Sequence, residues 1–231
     1  MHLIPLEALA KTHNKNPEDL KGPISVISWI LPTSENTRQS ARNEIQHPSR
    51  LWAYTRWYGE KFNDALRRYL IEFLTGKGCL AAAPAIEPYF KVSSDEKGAF
   101  SNWSERHIAF AAGQGTFSLS DGFITDRGIA HRCGSVVVNL RLQASTRTAS
   151  SPYSNCLFYI DRTCKACISR CPAGAITEKG HDKKKCMEYA RTSLGHLKER
   201  YNVGIVGCGL CQVKVPCEFE NPTQRIKNNK P

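Results

Sequence analysis

The sequence predicts an α+β fold in two parts, a mixed helix–strand domain followed by a small cysteine-rich one. Three observations carry that prediction. A helical periodicity runs from Leu51 to Phe73, β-rich runs lie at 24–30 and 134–142, and eight of the ten cysteines crowd between Cys156 and Cys217. The Ser- and Thr-rich stretch Gln143–Asn155, with Pro152, marks the boundary, giving domains 1–148 and 149–231.

Residues 24–30 (ISVISWI), bounded by Pro23 and Pro32, read as a buried strand. Residues 33–50 are polar and read as a loop. Leu51, Tyr54, Tyr58, Phe62, Leu66, Tyr69 and Phe73 then recur every three or four positions until Gly76 and Gly78 end the helix. On that reading the aromatics face the core, and Arg56, Lys61, Arg67 and Arg68 form the solvated side. Residues 79–100 read as irregular. Asn102 and Glu105 have capping-box spacing for a second helix that ends at Gly113. Residues 134–142 alternate as a strand with one buried face, and a further helix is expected over roughly 184–201. The tail 224–231 is polar, basic and expected to fray.

Composition is that of an ordinary globular protein, 41% hydrophobic and 23% charged. The opening MHLIPLEALAKTHN lacks the features of a signal peptide, no apolar run nears the length of a membrane span, and the single Arg-Arg pair (Arg67-Arg68) lies deep in the chain. A cytoplasmic protein with no membrane association is therefore expected, and in that reducing compartment ten cysteines do not read as disulfides. The formal charge is +11. An acidic partner, such as a flavodoxin, an acidic ferredoxin, a phosphate-bearing ligand or RNA, suits that charge, as does solubility alone.

The cysteine spacing is the sharpest signal. Cys164-Lys-Ala-Cys167-Ile-Ser-Arg-Cys171-Pro172 matches the last three cysteines and the proline of the C-x2-C-x2-C-x3-C-P run that serves two 4Fe–4S clusters. Asp161 stands where the first cysteine belongs, and Cys156 is the nearest upstream thiol. A thiolate suits iron–sulfur better than a carboxylate, so Cys156 is the expected ligand and Asp161 the alternative. Downstream come Cys186, Cys208-Gly-Leu-Cys211 and Cys217. In such runs the last cysteine crosses over, so Cys156, Cys164, Cys167 and Cys217 would hold one cluster, and Cys171, Cys186, Cys208 and Cys211 the other. Zinc is the competing reading, since C-x2-C also builds zinc ribbons, although ribbons lack the C-x3-C-P that follows here. With two bound clusters the net charge falls to about +7. Cys79 and Cys133 read as small buried hydrophobes.

A bare two-cluster domain needs only about 60–80 residues, so the first 150 or so call for their own account. Ser104-Glu-Arg-His-Ile-Ala-Phe-Ala-Ala-Gly113-Gln-Gly115 resembles the ER-x-x-A-x-x-A-G-x-G segment of epoxyqueuosine reductases and reductive dehalogenases. Gly134-Ser-Val-Val-Val-Asn-Leu is similar to a strand of the same superfamily, Ser25-Val-Ile-Ser-Trp-Ile-Leu-Pro to an earlier one, and Gly207-Cys-Gly-Leu-Cys-Gln to its second cysteine motif. The resemblance implies a nitroreductase-like α/β N-terminal domain followed by a ferredoxin-like domain with two 4Fe–4S clusters. It further implies cobalamin as cofactor, near Gly113, Gly115, Gly134 and Ser135, reduced through the clusters by a partner such as ferredoxin or flavodoxin.

The match has departures. The family's proton-donating Asp, seven residues before the Arg of the ER pair, is Ala99 here, with Asp95 and Glu96 out of register, so no catalytic residue is identified. The chain ends 14 residues after Cys217, without the repeats that help epoxyqueuosine reductases grip tRNA, so tRNA is not expected as a partner. Three functions follow as expectations: a cobalamin-dependent reductase, an electron-transfer protein or activator serving a corrinoid protein, or a domain that binds flavin or nothing. His107, His131 and His181 read as ordinary surface or core histidines that could instead face a cofactor. Lys183-Lys-Lys185 beside Cys186 reads as a solvated run or a docking patch.

Overall fold

The computed structural model describes residues 2–224; the expected frayed tail lies outside them apart from Gln224. The fold is mixed α/β with small sheets. In chain order the elements are α1 (Pro5–Thr12), β1 (Ser25–Pro32), α2 (Glu35–Arg42), α3 (Arg50–Gly76), β2 (Ala81–Ala82), β3 (Val92–Asp95), β4 (Gly98–Ser101) and α4 (Glu105–Ala111). There follow β5 (Gly115–Phe117), β6 (Phe123–Thr125), β7 (His131–Val138), α5 (Leu157–Asp161), α6 (Ala166–Ser169), β8 (Ile176–Thr177), β9 (Gly180–His181), α7 (Lys183–Thr192) and α8 (Leu197–Tyr201). Among the described residues no helix is long and apolar enough to cross a membrane.

The chain divides into two compact units. One comprises residues 1–31, 61–113 and 133–147; the other 32–60, 114–132 and 148–231. The first is built on a sheet of order β1-β7-β2, with Ala81 paired to Val138 and Ala82 to Val137 in antiparallel register. Val137 and Ala82 pack with Ala8, Leu9 and Trp103, while Val136, Val138 and Ala81 pack with Leu74. Residues 134–138 are thus buried on both faces, not on one as their alternation suggested. A central strand covered on both sides reads as an unbroken apolar run, and Val136-Val-Val138 is that run.

The expected stretches of loop hold structure. Residues 33–50 contain α2, whose N-cap Ser34 accepts the Thr37 N–H at 3.3 Å. Residues 79–100 contain β2 and most of the hairpin β3–β4, paired from Val92↔Ser101 to Asp95↔Gly98. Residues 184–201 form two helices, α7 and α8, not one. The helix expected from Asn102 begins at Glu105 instead. The Asn102 amide is engaged in the hairpin, accepting from the Lys91 N–H and donating to the Tyr89 carbonyl, both at 2.9 Å, so it cannot cap.

The largest correction concerns α3. Leu51, Tyr58, Phe62, Tyr69 and Phe73, expected in the core, are exposed, Phe62 and Tyr69 each to 62%. The covered face is the neighbouring stripe, with Trp52, Ala53, Asn63, Arg67 and Leu74 buried. Arg67, expected on the solvated side, is 1% exposed. Its guanidinium donates to Asp64 Oδ1 at 2.6 Å, Glu105 Oε1 at 3.0 Å and the Cys133 carbonyl at 3.4 Å. Ser135 Oγ donates to the other Glu105 oxygen at 2.6 Å and accepts from Trp103 Nε1 at 3.1 Å. Asn63 accepts from Trp29 Nε1 at 2.9 Å and donates to the Cys133 carbonyl at 2.8 Å. The first unit therefore has a hydrogen-bonded polar core threaded between apolar clusters.

Candidate metal centre

The second unit contains the eight clustered cysteines. Each is delivered by a short local device, since a thiol can converge with others only if its backbone is pinned. Cys156 precedes α5, and its N–H donates to the Tyr153 carbonyl at 3.0 Å. Cys164 and Cys167 lie at the start of α6. The Cys217 carbonyl accepts from the Ile129 N–H at 2.8 Å, which ties the last cysteine to the strand-like segment after β6. These four thiols line one small apolar cavity, with Ile124, Ile129 and Phe158 among its walls. Burial pushes the Cys167 thiol up to about 12, with Cys156 and Cys164 adding to it, and pushes Cys217 up as well, reinforced by Cys156, Cys167 and Cys164.

The other four form a second set. Burial raises the Cys208 thiol to about 11, with Cys186 and Cys171 adding to the shift. Cys211 is raised by burial and then by Cys208, Cys186, Cys167 and Cys171, so it also feels a thiol of the first set. Cys171 Sγ accepts the Ala175 N–H at 3.3 Å. His181 hydrogen-bonds Asp121 and Cys186, and these two contacts raise it to about 9. Thiols this buried stay protonated until a metal replaces the proton.

The fit to clusters rests on this donor chemistry: eight soft thiol donors, four of them around one apolar cavity. Asp161 is not among the cavity's lining residues; it is exposed, and its carboxylate accepts from the Thr163 N–H at 2.9 Å and hydroxyl at 2.7 Å. Among the described residues no three His, Cys, Asp or Glu side chains are arranged to hold a single metal ion.

Two residues that sequence reasoning missed position the loops. Arg170, directly before Cys171, donates to the carbonyls of Leu210, Val213, Glu44 and Ala41 at 2.9–3.3 Å, tying the Cys208–Cys211 loop to the end of α2. Glu218, directly after Cys217, is 2% exposed. It accepts from Arg42 at 2.7–3.1 Å and from the Lys214 N–H at 2.7 Å, and pairs with Arg38 at 3.2 Å. An arginine or glutamate adjoining one of the clustered cysteines was the available signal. Glu218→Gln removes the buried partner of Arg38 and Arg42 and leaves them only the half-exposed Glu35, so stability is expected to fall by about 3 kcal/mol. Urea unfolding followed by circular dichroism checks this, and a change below about 1 kcal/mol would sink it.

The four positions matched to cobalamin binding fall in separate surroundings. Gly113 turns the chain after α4 with φ +76°. Gly115, in β5, is so close to its partner strand that an added Cβ would lie 2.2 Å from the Ile124 carbonyl oxygen. Gly134 packs on Trp29, whose ring an added Cβ would meet at 2.4 Å, and Ser135 is fully buried in the polar core. Gly134 and Ser135 therefore offer no open surface to a macrocycle. His107 is exposed and bonds Ser104 Oγ at 2.8 Å. Cys79 and Cys133 are half-buried.

Several solved structures are similar to this chain. The epoxyqueuosine reductase of Bacillus subtilis is 17% identical over 84% of this chain and 48% of its own, with a TM-score of 0.46. An epoxyqueuosine reductase solved with an epoxyqueuosine-modified tRNA-Tyr stem loop is 18% identical over 84% and 48%, with a TM-score of 0.49. That of Streptococcus thermophilus is 16% identical over 86% and 50%, with a TM-score of 0.44. The chain spans about half the length of these structures. No protein-family model matches the sequence, and no curated protein matches it. The expectation that tRNA is not a partner is corrected, because one of these similar proteins is seen holding a tRNA stem loop. That expectation rested on where the sequence ends, and the chain's end says nothing of RNA contacts made elsewhere on a protein of net charge +11.

Proposed function

We propose that this chain is an iron–sulfur redox protein that holds two 4Fe–4S clusters and passes electrons between them. The observation that carries the reading is the apolar cavity lined by Cys156, Cys164, Cys167 and Cys217, and the electrostatic coupling of Cys208 and Cys211 to Cys171 and Cys186 supports a second set. Cys156, Cys164, Cys167 and Cys217 would hold one cluster, and Cys171, Cys186, Cys208 and Cys211 the other. The clusters, when bound, supply one-electron chemistry at potentials set by burial and by hydrogen bonds to sulfur. The chain supplies the apolar walls that exclude water from the first set, the Ala175 N–H on Cys171, and the Arg170 clamp on the second loop.

The epoxyqueuosine reductase-like motifs and the similar solved structures support extending this reading to an oxidoreductase with cobalamin. The packing at Gly134 and Ser135 does not fit a cobalamin contact, so these two residues have no part in holding that cofactor. One preparation tests both levels: anaerobic purification, incubation with cobalamin, and quantification of iron, sulfide, zinc and cobalt. About eight irons and eight sulfides per chain are expected. Retained cobalt at about one per chain would extend the reading to cobalamin, and its absence would confine it to electron transfer. Zinc in place of iron would overturn it.

A further inference from the structure

The second unit has another cavity, of about 260 Å³, that uses none of the cysteines. It is lined by Arg56, Arg132, His131, Trp52, Gln212 and the glycines of the Gly207-Cys-Gly209 loop, with the hydroxyls of Thr33 and Thr55. At roughly 30 Å³ per water, the space exceeds a bare phosphate and admits a small organic group beside it. Its walls bring two guanidiniums together. Arg132 is paired with Glu60. Arg56 has neither a hydrogen bond nor an ion pair among the described residues, although its stem is packed along Gly207.

Half-buried charge of this kind is normally neutralised, and among the described residues no group does so fully here. Burial and the neighbouring Arg132 both work against the Arg56 charge, and only Glu60 supports it. The planar fork of arginine matches the oxygens of a phosphate, and hydroxyls and an amide stand by for its remaining acceptors. Trp52 gives the apolar wall, and the His131 ring is stacked on Phe123 at 6.1 Å. The loop is held in shape by Trp52: Gly209 has φ +63°, and an added Cβ would lie 2.1 Å from Trp52 Nε1.

We infer that this cavity binds the phosphate group of a small molecule, with Arg56 as its principal anion contact. The inference does not rest on the clusters, because no ligand cysteine lines the cavity.

Calorimetric titration of the anaerobically purified protein with inorganic phosphate, and separately with ribose 5-phosphate, tests it. Saturable binding at one site per chain is expected, weakened at least tenfold in Arg56→Gln and partly kept in Arg56→Lys. Tighter binding of the ester marks a phosphorylated metabolite, and equal binding marks free phosphate. Among the described residues only Glu60 supports the Arg56 charge, and Glu60 keeps its pair with Arg132, so Arg56→Gln should fold and keep its iron. Should it not fold, protection of Arg56 in the parent protein from phenylglyoxal by phosphate, mapped by mass spectrometry, gives the same answer. No saturable binding of either probe, binding unchanged in Arg56→Gln, or no protection would each overturn the proposal. Iron content reads out separately, so failure here is distinguishable from failure of the cluster reading.

Discussion

A Cys217→Ser variant will hold about four irons per chain where the parent holds about eight, while Asp161→Asn will hold as many as the parent. Cys217 lines the same cavity as Cys156, Cys164 and Cys167, and its backbone is fixed by the Ile129 N–H. A serine there has nearly the same shape but does not ionise in so apolar a place, so one corner of the cube loses its ligand. Asp161 already spends its carboxylate on Thr163. Pairs of substitutions make the test sharper. Cys217→Ser with Cys156→Ser falls within one set and should remove no more iron than either alone. Cys217→Ser with Cys211→Ser spans both sets and should remove nearly all of it. If the within-set pair also removes all the iron, the assignment of thiols to sets is wrong. If Asp161→Asn halves the iron, the carboxylate is a ligand after all.

Arg67→Met will destabilise the first unit by about 3–5 kcal/mol. The guanidinium is fully enclosed and serves Asp64, Glu105 and the Cys133 carbonyl, so its removal takes a counter-charge from the largely buried Glu105 and leaves the Cys133 carbonyl to Asn63. Methionine fills the volume but donates nothing. The neighbouring Arg68 is exposed, and Arg68→Ala should change stability by less than about 0.5 kcal/mol. Adding Glu105→Gln to Arg67→Met should cost less than the sum of the two single changes, since the partners share one network. Unfolding is followed by tryptophan fluorescence in a Trp52→Phe, Trp57→Phe background, which leaves Trp29 and Trp103, both in the network, as the reporters. Additive losses, or a small effect of Arg67→Met, would show that the network does not hold the core.

The role of Glu105 shows how motif and structure can meet at one residue. In the sequence it belongs to the Glu-Arg pair that resembles a reductase segment. In the fold its two oxygens are taken by Arg67 and Ser135, so this glutamate joins helix to strand. Its presence in the motif is therefore explained by packing before any ligand is invoked.

What the sequence determined by itself was whatever depends on short spacing. β1, the extent of α3 and the turn at Gly113 were all legible, because each is dictated by neighbours a few residues apart. Tertiary structure alone decided which face of α3 is covered. Periodicity identifies positions that share a stripe, but two adjacent stripes competed, and the more aromatic one stayed outside while Asn63 and Arg67 went in with hydrogen-bond partners. It also decided that residues 35–42 form a helix. That segment reads as loop because its packing partner is a charge, Glu218, which lies 176 residues from Arg42 in the chain. Hydrophobic patterning sees only apolar burial. A buried ion pair between distant residues leaves no period in the sequence, and so Arg38, Arg42, Arg67 and Arg170 acquired their roles only when the chain had folded.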